Sequence, residues 1–231
     1  ESTTKLPHGK YYLKELAVPV ETIEMLTEKI PLTIDSELNV QHYNSPIYNT
    51  MFKAKIGVYK LDAADNDRAL AGAMFEVRDA SGKLFDTIKT NDKGYAETIE
   101  IPVGIYKVKE IAPPAGFILS DEVKTITLTT EDKETAVFER TNKANEVTLT
   151  KTDLTTSAPV PGAKDGKLFY KGVTDKDGKI TMKELPAGEY TFKETICPDG
   201  YALNTEVFTF SIDNYGKVTG TTSFTDEPIT L

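Results

Sequence analysis

The chain has 231 residues, with 27 Lys and Arg against 36 Asp and Glu, a formal net charge of −9 that argues against nucleic acid or an anionic membrane surface as a partner. One cysteine, Cys197, excludes an internal disulfide, and no apolar run approaches the ~20 residues needed to span a bilayer. Frequent Thr and Val and the near absence of helical periodicity favour an all-β protein, long enough for two small domains and part of a third.

Taken in order, residues 1–51 read as the closing part of a unit. TKLPHGKYYLKEL is a turn and a strand with nothing before it to pair with. Thr22 to Lys29 reads as one or two helical turns or a loop, and PLTIDSELNV and SPIYNT read as strands. A complete unit of about seven strands runs over 52–144: KIGVYKLD, ALAGAMFEVRD, KLFDTIKT, YAETIEI, IYKVKEI, EVKTITLTT and TAVFERTN, with NDKG as a hairpin turn. In 145–231, EVTLTKTD answers KIGVYKLD, DKDG answers NDKG, and VFTFSIDNYGKVTG is a hairpin turning at Asn214 to Gly216. GAMFEVRDASGK is answered only by GAKDGK. Either a sheet edge is absent there or a stretch of chain is missing, and the truncated first unit favours the second.

One stretch recurs three times: GIYKVKEIAPPAGF from Gly104, GEYTFKETICPDGY from Gly188 and, in worn form, GKYYLKELAVPV from Gly9. Alternation along a strand puts Tyr106, Val108 and Glu110 on one face, Tyr190, Phe192 and Glu194 in the next copy, and Tyr11, Leu13 and Glu15 in the third. Lys107, Lys109 and Lys193 point the other way. A lone Glu at a strand end is ordinarily solvated; three in one register point instead to carboxyl groups on an apolar face. Lys60 and Lys151 open the two later units on such a face, each followed by x-Asp, whereas a lysine guarding a sheet edge would face water. Each unit closes on an amide or acid: Asn142 lies 32 residues after Glu110, Asp226 lies 32 after Glu194, and Asn49 lies 34 after Glu15.

An amine, a carboxyl and an amide sharing one core cannot all keep their charges. Desolvation lowers the pKa of Lys and raises that of Glu, which leaves a neutral amine beside a protonated acid. The neutral amine is a nucleophile, and a side-chain carbonyl polarised by the Glu is its electrophile. The product is an amide between Lys and Asn or Asp, with ammonia or water released.

VYKLD…GAMFEV…NDKGYAE…YKVKEIAPPAGF…ERTN and TLTKTD…TDKDGKI…YTFKETICPDGY…FTDEP resemble the collagen-adhesin B-type (Cna B-type) repeats of Gram-positive surface proteins and pilins. The resemblance implies tandem Ig-like or prealbumin-like β-sandwiches, the first one incomplete. It also implies autocatalytic isopeptide bonds: Lys60–Asn142 assisted by Glu110, and Lys151–Asp226 assisted by Glu194. The first unit would contribute Glu15 and Asn49, its Lys lying before residue 1. Asp226 stands where Asn is commoner, Arg140 sits oddly on a core-facing row, and Asn145 remains an alternative to Asn142. The implied role is a stalk or pilin-like segment, extracellular and anchored to the cell wall, with anchor and signal outside this stretch. Host extracellular matrix or other pilus subunits are the implied partners.

Other classes find less support. An adhesive module binding a host protein or glycan would use exposed loops, and none is unusually long or aromatic. For an enzyme, the two histidines, His8 and His42, both fall in the incomplete unit, and no metal cluster, Ser-His pairing or phosphate loop appears. No cofactor or metal is expected: DAADND (Asp62 to Asp67) and DKDG are better read as turns than as calcium ligands. Cys197 aligns with Pro113 and Val18 and reads as an unpaired small apolar residue.

Overall fold

The computed structural model describes residues 6–18, 20–35, 47–132, 135–153, 164–165, 170 and 172–230. Every regular element among them is a strand. β1 (Gly9–Leu13) and β2 (Ile30–Ile34) pair antiparallel, Tyr11 opposite Leu32. The middle sandwich comprises β3 (Lys53–Asp62), β4 (Met74–Asp79), β5 (Leu84–Lys89), β6 (Tyr95–Glu97), β7 (Ile101–Pro102), β8 (Gly104–Ala112), β9 (Val123–Leu128) and β10 (Thr135–Asn142). The C-terminal sandwich comprises β11 (Glu146–Asp153), β12 (Lys164–Asp165), β13 (Lys179–Lys183), β14 (Gly188–Phe192), β15 (Glu194–Ile196), β16 (Phe208–Ile212), β17 (Val218–Gly220) and β18 (Ser223–Asp226).

In the middle sandwich one sheet has the order β10-β3-β6, with β7 also on β3, and the other has the order β5-β4-β8-β9. Period-2 alternation turns Ile56 and Val58 of β3 inward against Phe75 and Val77 of β4 and Tyr106 and Val108 of β8. The lysines of β8 face water. The first and last strands, β3 and β10, lie side by side and parallel, with Arg140 opposite Lys60 and Asn142 opposite Asp62. The C-terminal sandwich repeats this arrangement: β11 and β18 run parallel, with Phe224 opposite Lys151. Its second core gathers Leu149, Ile180, Phe192 and Phe210. Parallel neighbours are the far ends of one unit, so a link between them closes nearly the whole domain.

Several elements differ from the reading of the sequence. YAETIEI is two strands, because the Thr98 hydroxyl accepts the Ile56 N–H at 3.0 Å and a side chain thereby interrupts the ladder. Of the two readings of Thr22 to Lys29, the loop is the one that holds. Its backbone is held from outside: the Glu24 N–H donates to the Thr50 carbonyl at 2.7 Å, and the Leu26 N–H donates to the Glu15 carboxylate at 2.6 Å. SPIYNT yields no strand over 47–50, only a single bridge from Met51 to Ile23, while 36–46, including His42, lie outside the described residues. The row Tyr11–Leu13–Glu15 is incompletely covered, with Leu13 39% exposed. Of GAKDGK, Lys164 and Asp165 form β12 against β15, and the rest lies outside the described residues.

Candidate functional site

Lys60 and Asn142 come from neighbouring strands of one sheet, and Glu110 comes from the sheet facing it. The parallel register sets Asn142 two residues beyond Arg140, the partner of Lys60, so both side chains share the inner face. All three are enclosed: Lys60 is 0%, Glu110 2% and Asn142 3% exposed. Glu110 Oε1 lies 3.1 Å from the Lys60 Nζ and accepts from the Asn142 Nδ2 at 3.2 Å. One carboxylate therefore touches both the amine and the amide. Lys60 also donates to the Thr141 carbonyl at 3.3 Å, and its Nζ stands 5.6 Å from the centre of the Phe75 ring. Burial holds the Lys60 amine below its ordinary pKa of 10.5, against the pull of Glu110 and with a smaller push in the same direction from Arg140.

The amide is oriented differently from the expectation that Glu110 would face the carbonyl oxygen. Its Nδ2 faces Glu110 and also donates to the Ile118 carbonyl at 2.7 Å, while the buried Oδ1 has no hydrogen-bond partner among the described residues. The Ile118 carbonyl accepts only from the nitrogen end, and that fixes the amide. Arg140 is accommodated by reaching to the edge of the sandwich, where it donates to Glu122 at 2.9 Å. Asn145, the alternative to Asn142, does not meet Glu110. Buried in the connection between the sandwiches, it donates from its Nδ2 to the Leu185 carbonyl at 2.9 Å.

The C-terminal sandwich assembles the same constellation with an acid in place of the amide. Lys151, Glu194 and Asp226 are all buried, and the Lys151 Nζ contacts both Glu194 Oε1 and Asp226 Oδ2. Neither Asp226 oxygen has a hydrogen bond among the described residues, and the Lys151 Nζ is the polar group in contact with its carboxyl. In the N-terminal segment, Asn49 Nδ2 donates to both Glu15 oxygens at 3.0 and 2.8 Å and to the Glu24 carbonyl at 3.1 Å. This is the Asn142–Glu110 arrangement with no lysine against it among the described residues.

Three features escaped the reading of the sequence. Main-chain N–H groups of Ser120, Asn204 and Leu26 donate to Glu110, Glu194 and Glu15. Tyr106, Tyr190 and Tyr11 each donate a hydroxyl to the carbonyl of Pro102, Pro186 or Pro7, four residues back. Pro-x-Gly-x-Tyr recurs in all three copies and was the available signal. Arg68 donates to both oxygens of Glu184 in the next sandwich, at 2.5 and 2.7 Å, and to Asp62 at 3.2 Å. Asp62 and Asp65 cap their own turn through the N–H groups of Ala64 and Asp67. Cys197 is unpaired and half-buried.

Paired β-sandwiches, each with first and last strands parallel and a lysine, a glutamate and an amide or acid between the sheets, define the class. The family model for the SpaA prealbumin-like fold domain matches residues 54–144 and again 145–228, and the chain belongs to that family. It is 30% identical over 172 residues to the trypsin-resistant surface T6 protein of Streptococcus pyogenes serotype M6, covering 73% of this chain and 29% of that protein. The solved TIE protein of Bacillus anthracis is similar over 97% of this chain and 42% of its own, with 27% identity and a TM-score of 0.58. The chain thus spans less than half the length of either relative.

Proposed function

We propose that the chain is a stalk or pilin-like segment of a Gram-positive surface protein, in which Lys60–Asn142 and Lys151–Asp226 isopeptide bonds carry tension. The observation behind this reading is the Glu110 carboxylate in simultaneous contact with the Lys60 amine and the Asn142 amide nitrogen inside a closed core. The Lys60 Nζ attacks the Asn142 Cγ, and the Cγ–Nδ2 bond breaks. Glu110 passes the proton released by the amine to the departing nitrogen, which leaves as ammonia. At Lys151 and Asp226 the Nζ bonds to the Asp226 Cγ, one Cγ–Oδ bond breaks, and the two protons given up by the Lys151 ammonium leave with that oxygen as water, with Glu194 as the relay. The surface location follows the surface-protein relative, and partnership with other pilus subunits or with host matrix rests on the resemblance of the repeats alone. No turnover is involved, since each site reacts once.

The bond joins β3 to β10, the first and last strands of their unit. By loop entropy, closing ~80 residues stabilises by roughly 4–5 kcal/mol. Under tension the effect is larger, because force bypasses the hydrogen-bonded sheets through a covalent bridge. Single-molecule pulling on the chain ends tests this. The ~80 residues bracketed by Lys60 and Asn142 should add no extension in the native protein and about 280 Å in the Glu110→Ala variant. An equal full extension in both would contradict the role.

A further inference from the structure

Each glutamate is followed by a loop that returns to the strand carrying its amide or acid. In all three copies the return is fastened in the same way, two residues past the acceptor side chain. Phe117 bridges Ala144, with the Asn145 N–H donating to the Gly116 carbonyl at 2.8 Å and the Ile118 N–H to the Lys143 carbonyl at 2.9 Å. Tyr201 bridges Pro228, with Ile229 donating to Gly200 at 2.8 Å and Ala202 to Glu227 at 2.9 Å. Ile23 bridges Met51, with Phe52 donating to Thr22 at 3.0 Å and Glu24 to Thr50 at 2.7 Å.

The residue two beyond the second of these donors gives its N–H to the glutamate: Ser120 to Glu110 at 2.8 Å, Asn204 to Glu194 at 3.0 Å and Leu26 to Glu15 at 2.6 Å. Where the acceptor is an amide, the carbonyl of that donor residue takes the Nδ2: Ile118 from Asn142 at 2.7 Å, and Glu24 from Asn49 at 3.1 Å. Asp226 has no Nδ2 to give. There the Asn204 side chain donates instead to the Thr225 carbonyl at 3.0 Å, tying the loop to β18.

The loop lengths differ. The N–H donor follows its glutamate by 10 residues in the two sandwiches and by 11 in the N-terminal segment. The extra residue is taken up before the fastening, and everything at the reacting end keeps its register. A connector whose only task was to join two strands would show no such invariance.

We propose, on the basis of the condensation reading above, that this loop is a positioning element of the reaction. Its N–H aims the glutamate, its carbonyl presents the amide nitrogen as leaving group, and the bridge fixes both to the acceptor strand. Ile118 and Ser120 act through the main chain in the middle sandwich. This also accounts for the Pro-x-Gly-aromatic tail of the repeated motif, whose Gly116–Phe117 and Gly200–Tyr201 make the bridge.

The test compares Ser120→Pro, which removes the N–H, with Ser120→Ala, which keeps it. Unreacted chain is refolded from denaturant and followed by intact mass, and the C-terminal site in the same molecule serves as internal clock. Ser120→Pro should slow the ammonia loss at least tenfold. The water loss at Asp226 and the Ser120→Ala rate should be unchanged. Equal rates for the two variants would overturn the proposal.

A second measurement needs neither proline nor reaction. In Lys60→Met, the Ser120 main-chain and Asn142 side-chain amide protons, both held by Glu110, should shift together by NMR when Glu110→Gln is added. Independent behaviour of the two would also overturn it. A native chain that loses no mass at all sinks the condensation reading instead, and the NMR result still decides whether the loop holds Glu110 and Asn142.

Discussion

Lys60 and Lys151 are equally buried but differently compensated: one carboxylate meets Lys60, whereas two meet Lys151. Around Lys60, desolvation outweighs the attraction of Glu110, so its folded pKa lies below 10.5. The unfolded chain then holds the proton more tightly than the folded one. Stability of an uncondensed middle sandwich should therefore rise with pH between the lowered folded value and 10.5, and be flat below that window. Thermal melts of Asn142→Ala against Asn142→Ala/Lys60→Met isolate this slope; parallel curves from pH 7 to 10 would contradict it. The residue types and their two-residue alternation made Lys60, Glu110 and Asn142 legible in the sequence. The amide orientation was not, because it is set by a carbonyl that every residue type carries.

Strands and turns followed from alternation and from Asn/Asp–Gly punctuation, and these are local properties. What local pattern misses is a side chain substituting for main chain, as Thr98 does in splitting β6 from β7. It also misses loops whose donors are satisfied at a distance, as at Glu24 and Leu26. Turn chemistry reaches the site through Gly94. It has φ +69°, a Cβ added there would lie 2.6 Å from the Lys60 carbonyl oxygen, and its own carbonyl accepts the Lys60 N–H at 2.8 Å. Gly94→Ala should cost about 1–3 kcal/mol, read by chemical denaturation of an uncondensed background. A loss under a few tenths would mean that the turn yields without disturbing β3.

Across the molecule, the loop that ends one site begins the contact with the next sandwich. Asn145 receives the Glu184 N–H at 2.9 Å, and Glu184 takes the left-handed conformation (φ +59°) while its carboxylate meets Arg68. A Cβ on Gly116, itself at φ +88°, would lie 2.5 Å from the Glu184 carbonyl oxygen. Gly116→Ala should therefore loosen the joint more than Arg68→Ala, which removes a part-exposed guanidinium paired across the joint with Glu184 and, within its own sandwich, with Asp62. Residual dipolar couplings of the two sandwiches would report this as greater independence of their alignment tensors. Unchanged alignment in Gly116→Ala would show that the joint does not depend on that close approach.

The condensation itself is tested most directly by the intact mass of the native protein, with the linked peptides located by fragmentation. Two bonds predict a deficit of about 17 Da for ammonia plus about 18 Da for water. Glu110→Ala should restore only the first and Glu194→Ala only the second. A native mass equal to that of the 231-residue linear chain would contradict the account.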